Sequence, residues 1–373
     1  MGERNNPLLK KLDKWVGCPL TFGLGLFHRD QPCPVLSGVQ KPRIALIKTA
    51  AVGDTIVLSA MVREIRHTYP EAIITVICSK NNLAMVKILP GIDAYYSFEM
   101  KKPLASLHHI KSLGRFDLLL DFGPWPRINS IIAWKADAAF KVGFKRPDTH
   151  RHYIYDAKVI HSDKLHEIEN YRNILRAAQI PIVGYIPDFR TEEQLRPQEN
   201  YVVFHLYPGG AMEMQRSWPN SRWLELGKQL YQHYGTKILF SGGPADKEKA
   251  GIITSQLQQN GVPAENIAGM YSLKEMASIL QYAKVVVSVN TGIMHYAAAV
   301  GVPLVAIHGA TSVARWGPLS EHAVVVKSDI PCQPCISLGF ESKCTNPVCM
   351  DKVTVDMVMD KVNHLLEDKN GFS

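Results

Sequence analysis

The sequence has no G-x-G-x-x-G loop after its first apolar run and no G-x-x-x-x-G-K-[ST] anywhere. Those absences remove the main support for a dinucleotide-binding or a P-loop reading. No stretch reaches the 18 or more apolar residues of a membrane-spanning helix. No long low-complexity tract interrupts the 373 residues, of which 46% are hydrophobic and 20% charged. Disorder is therefore not dominant, and there is ample material for a large core, enough for two domains. Lys-rich and Arg-Gly blocks are also missing, although the formal net charge is +8. That excess suggests a polyanionic partner: phosphorylated substrates, an anionic membrane surface or, last of the three, nucleic acid. A plain solubility charge is the bland alternative. The cysteines number only seven, and as free thiols in an α/β-looking chain they fit a reducing cytoplasm.

Residues 1–42 form an N-terminal extension. In "NNPLLKKLDKWVGCPLTFGLGLF", Lys10, Lys11 and Lys14 precede an apolar run from Trp15 to Phe27. Pro19 interrupts the run and no A-x-A cleavage site follows, which argues against a signal peptide. Two expectations stand. Either the segment touches the cytoplasmic face of the inner membrane through Trp15, Leu20, Leu24 and Phe27, or it packs on the body of the protein.

From residue 43 short apolar runs alternate with helical patterns. "RIALIK", "AIITVICS" and "FDLLLDFG" read as strands, while "GDTIVLSAMVREIRHTY", "NNLAMVKIL" and "INSIIAWKA" read as helices. The polar stretch "YIPDFRTEEQLRPQEN" reads as a linker, after which the alternation restarts with "YVVFHLYPGG", "KILFSGGP", "KVVVSVNTG" and "PLVAIHG" as strands. The helix over "RWLELGKQLYQHYG" has a Gly stop, Ser272 is placed to cap "LKEMASILQYA", and Thr354 to cap the terminal helix. The expected architecture is α/β: two doubly wound parallel-sheet domains facing a cleft, residues 43–185 and 186–373. Ligands in such sheets bind at the carboxyl ends of the strands.

Every chemistry-bearing motif falls at such an end. Asn290-Thr291-Gly292 closes one strand and opens a helix, a seat for phosphate; His295 lies one turn on. An Asn/Thr cap with a packed His is the competing explanation. Gly209 and Gly210 form a loop ahead of Arg216, which could hold a diphosphate or be a surface Arg. Asp246, with Glu248 behind it, could accept from ribose hydroxyls. Cys332, Cys335, Cys344 and Cys349 read C-x2-C-x8-C-x4-C, a donor set for a structural zinc or iron in the 332–349 loop, or a thiol-rich loop without metal. Asp54 sits on a Gly53-Asp54 elbow between strand and helix, placed to be a general base or simply a helix cap.

The motifs in order, "RIALIKTAAVGDTIVLSAMVREIRHTYPEA", "PGGAMEMQRSWPNSRW", "LFSGGPADKE", "SLKEMASILQYAKVVVSVNTGIMHYAAAVGVPLVAIHGATSVARWGP" and "PCQPC…CM", resemble glycosyltransferase family 9, the ADP-heptose:lipopolysaccharide heptosyltransferases. The resemblance spans about residues 43–365. It implies a GT-B fold and an inverting, metal-independent transfer of heptose from an ADP-sugar to anionic lipopolysaccharide inner core. It implies Asp54 as the base and Arg216 as the neutraliser of the leaving diphosphate. Thr291, Gly292 and His295 would surround the phosphates and sugar, Asp246 the ribose, and Met270 and Tyr271 the adenine. Arg63, Arg66, Lys80 and Arg127, in the acceptor half, are candidates to meet the acceptor's anions. The enzyme would be cytoplasmic, at the inner membrane face, with no nucleic-acid partner. One departure stands out: the family usually carries Asp-Thr-Gly where this chain has Asn290-Thr291-Gly292. It leaves room for another nucleotide sugar. A non-catalytic sugar-nucleotide binder of envelope biosynthesis and a UDP-sugar epimerase are the remaining alternatives.

Overall fold

The computed structural model describes residues 11, 13–147, 149–191, 200–210, 212–336, 342 and 344–367. The chain divides into two compact units, Met1–Ile186 and Pro187–Ser373.

The first unit is a six-stranded, wholly parallel sheet. Its strands are β1 (Arg43–Ile47), β2 (Ile73–Ser79), β3 (Ala94–Phe98), β4 (Phe116–Asp121), β5 (Ala138–Lys145) and β6 (Ala157–Ile160), in the order β3-β2-β1-β4-β5-β6. Ile44, Leu46, Val76, Leu118 and Leu120 are fully buried, as strands covered on both faces require. Helices α2 (Val52–Thr68), α3 (Leu83–Val86), α4 (Pro103–Ser112), α5 (Arg127–Lys135) and α6 (Glu167–Ala177) supply the cover. Strand order reverses between β1 and β4, so the loops after these two strands part and leave a crevice.

The second unit repeats the plan. Strands β7 (Tyr201–His205), β8 (Lys237–Ser241), β9 (Ala264–Asn266), β10 (Val286–Val289), β11 (Leu304–His308) and β12 (Ala323–Lys327) are parallel in the order β12-β11-β10-β7-β8-β9. Counted from β7, this is the order of the first unit, with its reversal between β7 and β10. The helices are α7 (Asn220–Tyr234), α8 (Lys247–Gln259), α9 (Leu273–Gln281), α10 (Gly292–Val300), α11 (Val313–Trp316), α12 (Val348–Asp351) and α13 (Val355–Glu367). The local signals act as expected. Gly235 stops α7 in the left-handed conformation at φ 59°. Ser272 and Glu275 form a reciprocal capping box on α9, and Thr354 Oγ1 accepts from Met357 N at 3.2 Å. The helix expected over "NNLAMVKIL" is a single turn, Leu83–Val86.

The N-terminal helix α1 (Gly17–Gly25) lies on the first unit by a face of small residues. A Cβ on Gly17 would meet Arg127 Cδ at 2.9 Å, and one on Gly25 would meet Tyr153 Cβ at 2.3 Å. Between them Thr21, fully buried, donates to the His150 carbonyl at 2.6 Å. Asp13 accepts from the Arg127 backbone at 2.9 Å and pairs with its guanidinium at 2.6 Å. Beneath this segment a buried ion pair, Asp121–Arg151, is extended by the Tyr155 hydroxyl, which donates to Asp121. Arg151 also donates to the Gly123 carbonyl and to Ser130, so both charges are satisfied where solvent is absent.

Candidate functional site

The crevice of the first unit is built around a buried ammonium. Lys48, directly after β1, is 1% exposed. Its Nζ donates to Asp54 Oδ1 at 2.6 Å and, across the strand-order reversal, to the Phe122 carbonyl at 3.0 Å after β4. It also lies 5.0 Å above the Tyr171 ring, whose hydroxyl donates to the same Asp54 oxygen at 3.3 Å. Asp54 is not the helix cap. The N-cap of α2 is Ala51, and Asp54 occupies the third helical position with its side chain turned to Lys48. Its side chain keeps 17% exposure beside a lysine at 2%. The result is a carboxylate oriented by a cation and a phenol at the helix start, yet open to a ligand. Spacing alone does not reveal Lys48 and Tyr171, because the lysine reads as the end of a strand and the tyrosine comes from α6.

The four basic residues expected to meet an acceptor separate into two sorts. Lys80 is exposed immediately after β2, at the carboxyl edge of the sheet. The others serve the scaffold. Arg66 donates to the carbonyls of Gly91, Pro70 and Ala72 and pairs with Asp93 at 2.5 Å. Arg127 is buried against Asp13. Arg63 donates to the Ile186 carbonyl at 2.9 Å, its guanidinium 4.5 Å from the Tyr185 ring centroid.

In the second unit the reversal between β7 and β10 gathers the anion-binding candidates. Arg216 reaches back over the glycine loop and donates to the Gly209 carbonyl at 2.9 Å and to the Asn290 carbonyl at 3.4 Å, linking the ends of both strands. Neither Gly209 nor Gly210 has an atom within 4 Å of where a Cβ would stand, and Gly210 has φ +94°. The loop surface is thus bare backbone. Thr291 caps α10, accepting from Met294 N at 3.4 Å, and the first turn of that nine-residue helix faces the crevice mouth with its positive end. His295 is mostly buried, 6.3 Å from the Trp316 ring.

Asn290 accounts for its own identity. Its amide Nδ2 lies 3.2 Å from a His308 ring nitrogen and 3.3 Å from the Trp316 carbonyl. Burial lowers His308 to about 4, so the ring is neutral. An amide donates to both neighbours; a carboxylate would face a carbonyl oxygen. Two strands over, past β7, Asp246 accepts from Gly243 N at 2.8 Å. Gly269, φ +70°, lies against Pro244 and leaves Met270 and Tyr271 exposed beside that turn. Tyr207, missed by sequence reasoning, follows β7. Its hydroxyl is buried with no hydrogen-bond partner among the described residues, and burial, then Asp246 and Glu213, push it up to about 12.

The cysteine loop is gathered but not closed. Cys349 is buried, and its thiol is raised by burial and then by Cys335, Cys332 and Cys344. Cys335 Sγ lies 3.4 Å from Ser342 Oγ, and Cys344 Sγ donates to the Asn346 carbonyl at 3.1 Å. Among the described residues, the one trio of potential metal donors within 4.8 Å of one another is His28, Asp30 and Asp156. The four thiols therefore have the chemistry of a zinc or iron site without the closed tetrahedral cage that their spacing suggests. The loop also supports the donor crevice: Gln215, next to Arg216, donates to the Cys344 carbonyl at 2.7 Å.

A family model described as glycosyltransferase family 9 (heptosyltransferase) matches residues 109–345. The chain is 26% identical over 216 residues to lipopolysaccharide heptosyltransferase 1 of Pseudomonas aeruginosa, covering 54% of this chain and 59% of that relative. It is 24% identical over 314 residues to lipopolysaccharide heptosyltransferase 2 of Salmonella typhimurium, covering 76% and 88%. Among solved structures it resembles E. coli ADP-heptose LPS heptosyltransferase II, with a TM-score of 0.73 at 20% identity over 88% of this chain and 99% of that one. That likeness confirms the GT-B arrangement of two parallel α/β sheets.

His205, at the end of β7, is likewise lowered to about 4 by burial, with Ser241 Oγ 2.9 Å from its Nδ1. Both histidines are depressed below the ordinary value of about 6.5, so the unfolded chain binds more protons. Their contribution is complete above about pH 6.5 and is lost as pH falls toward 4, on the order of 3 kcal/mol for each. The unfolding midpoint of the wild type should fall over this range, and the His308→Gln profile should be shallower. Parallel profiles for the two proteins would contradict the assignment.

Proposed function

The chain belongs to glycosyltransferase family 9, and from that membership we propose that it transfers heptose from ADP-heptose to the inner core of lipopolysaccharide with inversion at the anomeric carbon. The observation that carries this reading is the pair of strand-order reversals, one holding an oriented acid and the other an anion seat. The acceptor hydroxyl gives its proton to Asp54 as its oxygen bonds to the anomeric carbon. The bond to the diphosphate breaks with its electron pair on the leaving oxygen. Arg216 and the start of α10 meet that charge, the task a cation performs in metal-dependent transferases, so the transfer is metal-independent. Lys48 and Tyr171 are positioning residues: they fix the carboxylate and do not touch the reacting atoms. Lys80 meets the acceptor's anionic groups. Thr291, Gly292, His295, Gly209 and Gly210 surround the phosphates, and Asp246, Met270 and Tyr271 the nucleoside. The enzyme works in the cytoplasm, at the inner membrane face where a lipid-borne acceptor lies.

Asn290 favours one second reading, a different nucleotide sugar. Its amide is committed to His308 and Trp316, which leaves sugar recognition to its neighbours. Incubation with ADP-heptose, and with UDP- and GDP-sugars in parallel, against truncated core acceptors should give a mass gain of one heptose with ADP-heptose alone. Product from another donor alone would replace the heptose assignment, and none from any donor would favour a binding protein.

Asp54→Ala should lower kcat by at least about 100-fold while ADP binding is retained, and Arg216→Ala should lower both kcat and ADP affinity. Near-normal turnover of the Asp54 variant would remove the base. Tyr207→Phe deletes a buried hydroxyl that has no partner among the described residues, so stability should hold or rise. If that hydroxyl meets the donor, affinity should drop about tenfold; equal donor affinity would dismiss it.

At the cysteines, zinc or iron held by Cys332, Cys335, Cys344 and Cys349 would brace the Arg216 turn through Gln215. Elemental analysis should then find about one equivalent per chain, with Tm lowered by chelator. Metal far below that, with an unmoved Tm, rejects the site.

A further inference from the structure

The outer face of α1 and its flanking residues leave a contiguous run of the chain with large apolar side chains exposed. Gly17, Thr21 and Gly25, four residues apart, are spent on the body of the protein. What remains points to solvent: Trp15 is 74% exposed, Val16 55%, Phe22 53%, Leu26 70% and Phe27 86%. The helix itself has no charged residue. A soluble surface of this size normally marks an interaction site.

Cations border it. Lys11, Lys14 and Arg29 are exposed along the same segment. Beside the helix opens a cavity of about 310 Å³ lined by Phe22, Gly25 and Leu26 on one side and by Lys145, His152, Tyr153 and Lys158 on the other. The acids nearby are engaged: Asp13 with Arg127, Asp30 with Lys158 at 2.9 Å, and Asp156 with backbone N–H groups of Gln31 and Lys141. His152 reports the local field. Its pKa is lowered by burial and then by Lys145, Lys158, His150 and Arg151, with no acid among the causes.

We propose that α1 and this cavity form a docking site for an anionic phospholipid bilayer, the phosphate of one lipid seated at Lys145, beside the Lys158–Asp30 pair, and its acyl chain along Phe22 and Leu26. Trp15, Leu26 and Phe27 enter the interface, and the lysines face the negative headgroups. An apolar face ringed by cations matches that surface in both of its layers, whereas a second copy of this chain would bring cation against cation. The inference rests on the reading that the acceptor is carried by a membrane lipid, but its test is separate from that reading.

The experiment is flotation of the full chain with vesicles of phosphatidylcholine alone or with about one third phosphatidylglycerol, at physiological salt. Binding should require the anionic lipid and weaken as salt rises. Lys145→Glu and the double variant Leu26→Ser/Phe27→Ser should each lower the partition coefficient at least about tenfold. These positions are exposed, so Tm should not move, and transfer to a soluble, delipidated acceptor should be unchanged. The His152 resonance should titrate at higher pH once lipid phosphate sits beside it. Equal binding to neutral vesicles, full binding by both variants, or concentration-dependent dimerisation lost in the Leu26/Phe27 variant would each overturn the proposal. Loss of transfer to the soluble acceptor in the wild type would instead count against the enzymatic reading.

Discussion

The ammonium of Lys48 fixes the geometry of the first crevice. A charge this deeply buried is tolerated only with close compensation, and the compensation comes from three places: Asp54 on α2, the Phe122 carbonyl after β4 and the Tyr171 ring on α6. Asp54 consequently cannot turn to cap its own helix without leaving an uncompensated cation inside the protein. At the N-cap itself stands Ala51, whose methyl group offers no acceptor. The helix gives up a capping bond of about 1 kcal/mol, and a carboxylate is held at the strand-order reversal, where the loops part. A site that sacrifices local stability for orientation is what catalysis at that carboxylate would require.

The second crevice solves the opposite problem. It gathers backbone and side-chain donors, and Asp246 nearby accepts from Gly243 N. Arg216 spans the strand-order reversal there as Lys48 does in the first unit, donating to the Asn290 and Gly209 carbonyls. The bare Gly209-Gly210 backbone and the start of α10 add donors without adding bulk. The same strand order thus supports an acid in one unit and an anion seat in the other.

Legibility in the sequence followed burial. The central strands β1, β2, β4, β7, β8, β10 and β11 are buried on both faces, and their unbroken apolar runs stood out. The four sheet edges, β3, β6, β9 and β12, did not. Their exposure patterns are mixed, as in the alternation of β6 and the half-covered β12, because an edge strand has neighbours on one side only and needs no continuous apolar run. β5 was hidden by Lys141 and Gly143 within it; the glycine admits the Tyr155 ring, which a Cβ would meet at 2.4 Å. At the crevices, the loop motifs were visible because turns demand particular residues. The residues that complete them, Lys48, Tyr171, Tyr207 and His308, were not, because each is an ordinary core residue until the fold brings it to a strand end. Arg66 and Arg127 show the converse. Position in the chain made them candidates, and hydrogen bonding commits them to the scaffold.

Position 290 shows how a single departure from a family pattern can be a coupled choice. The side chain there faces a histidine ring and a backbone carbonyl. His308 is fully buried and its pKa is held at about 4, so near neutral pH it carries no charge. With a neutral ring and a carbonyl as neighbours, the position calls for a donor, and asparagine supplies two N–H groups. Aspartate would need a cation in their place, a protonated histidine for instance, and the burial of His308 opposes that. The identity of residue 290 and the protonation state of residue 308 therefore belong together. The loss of a carboxylate here follows from the packing beneath the crevice, and it leaves Thr291 and the helix start, which would face the phosphates, unaltered.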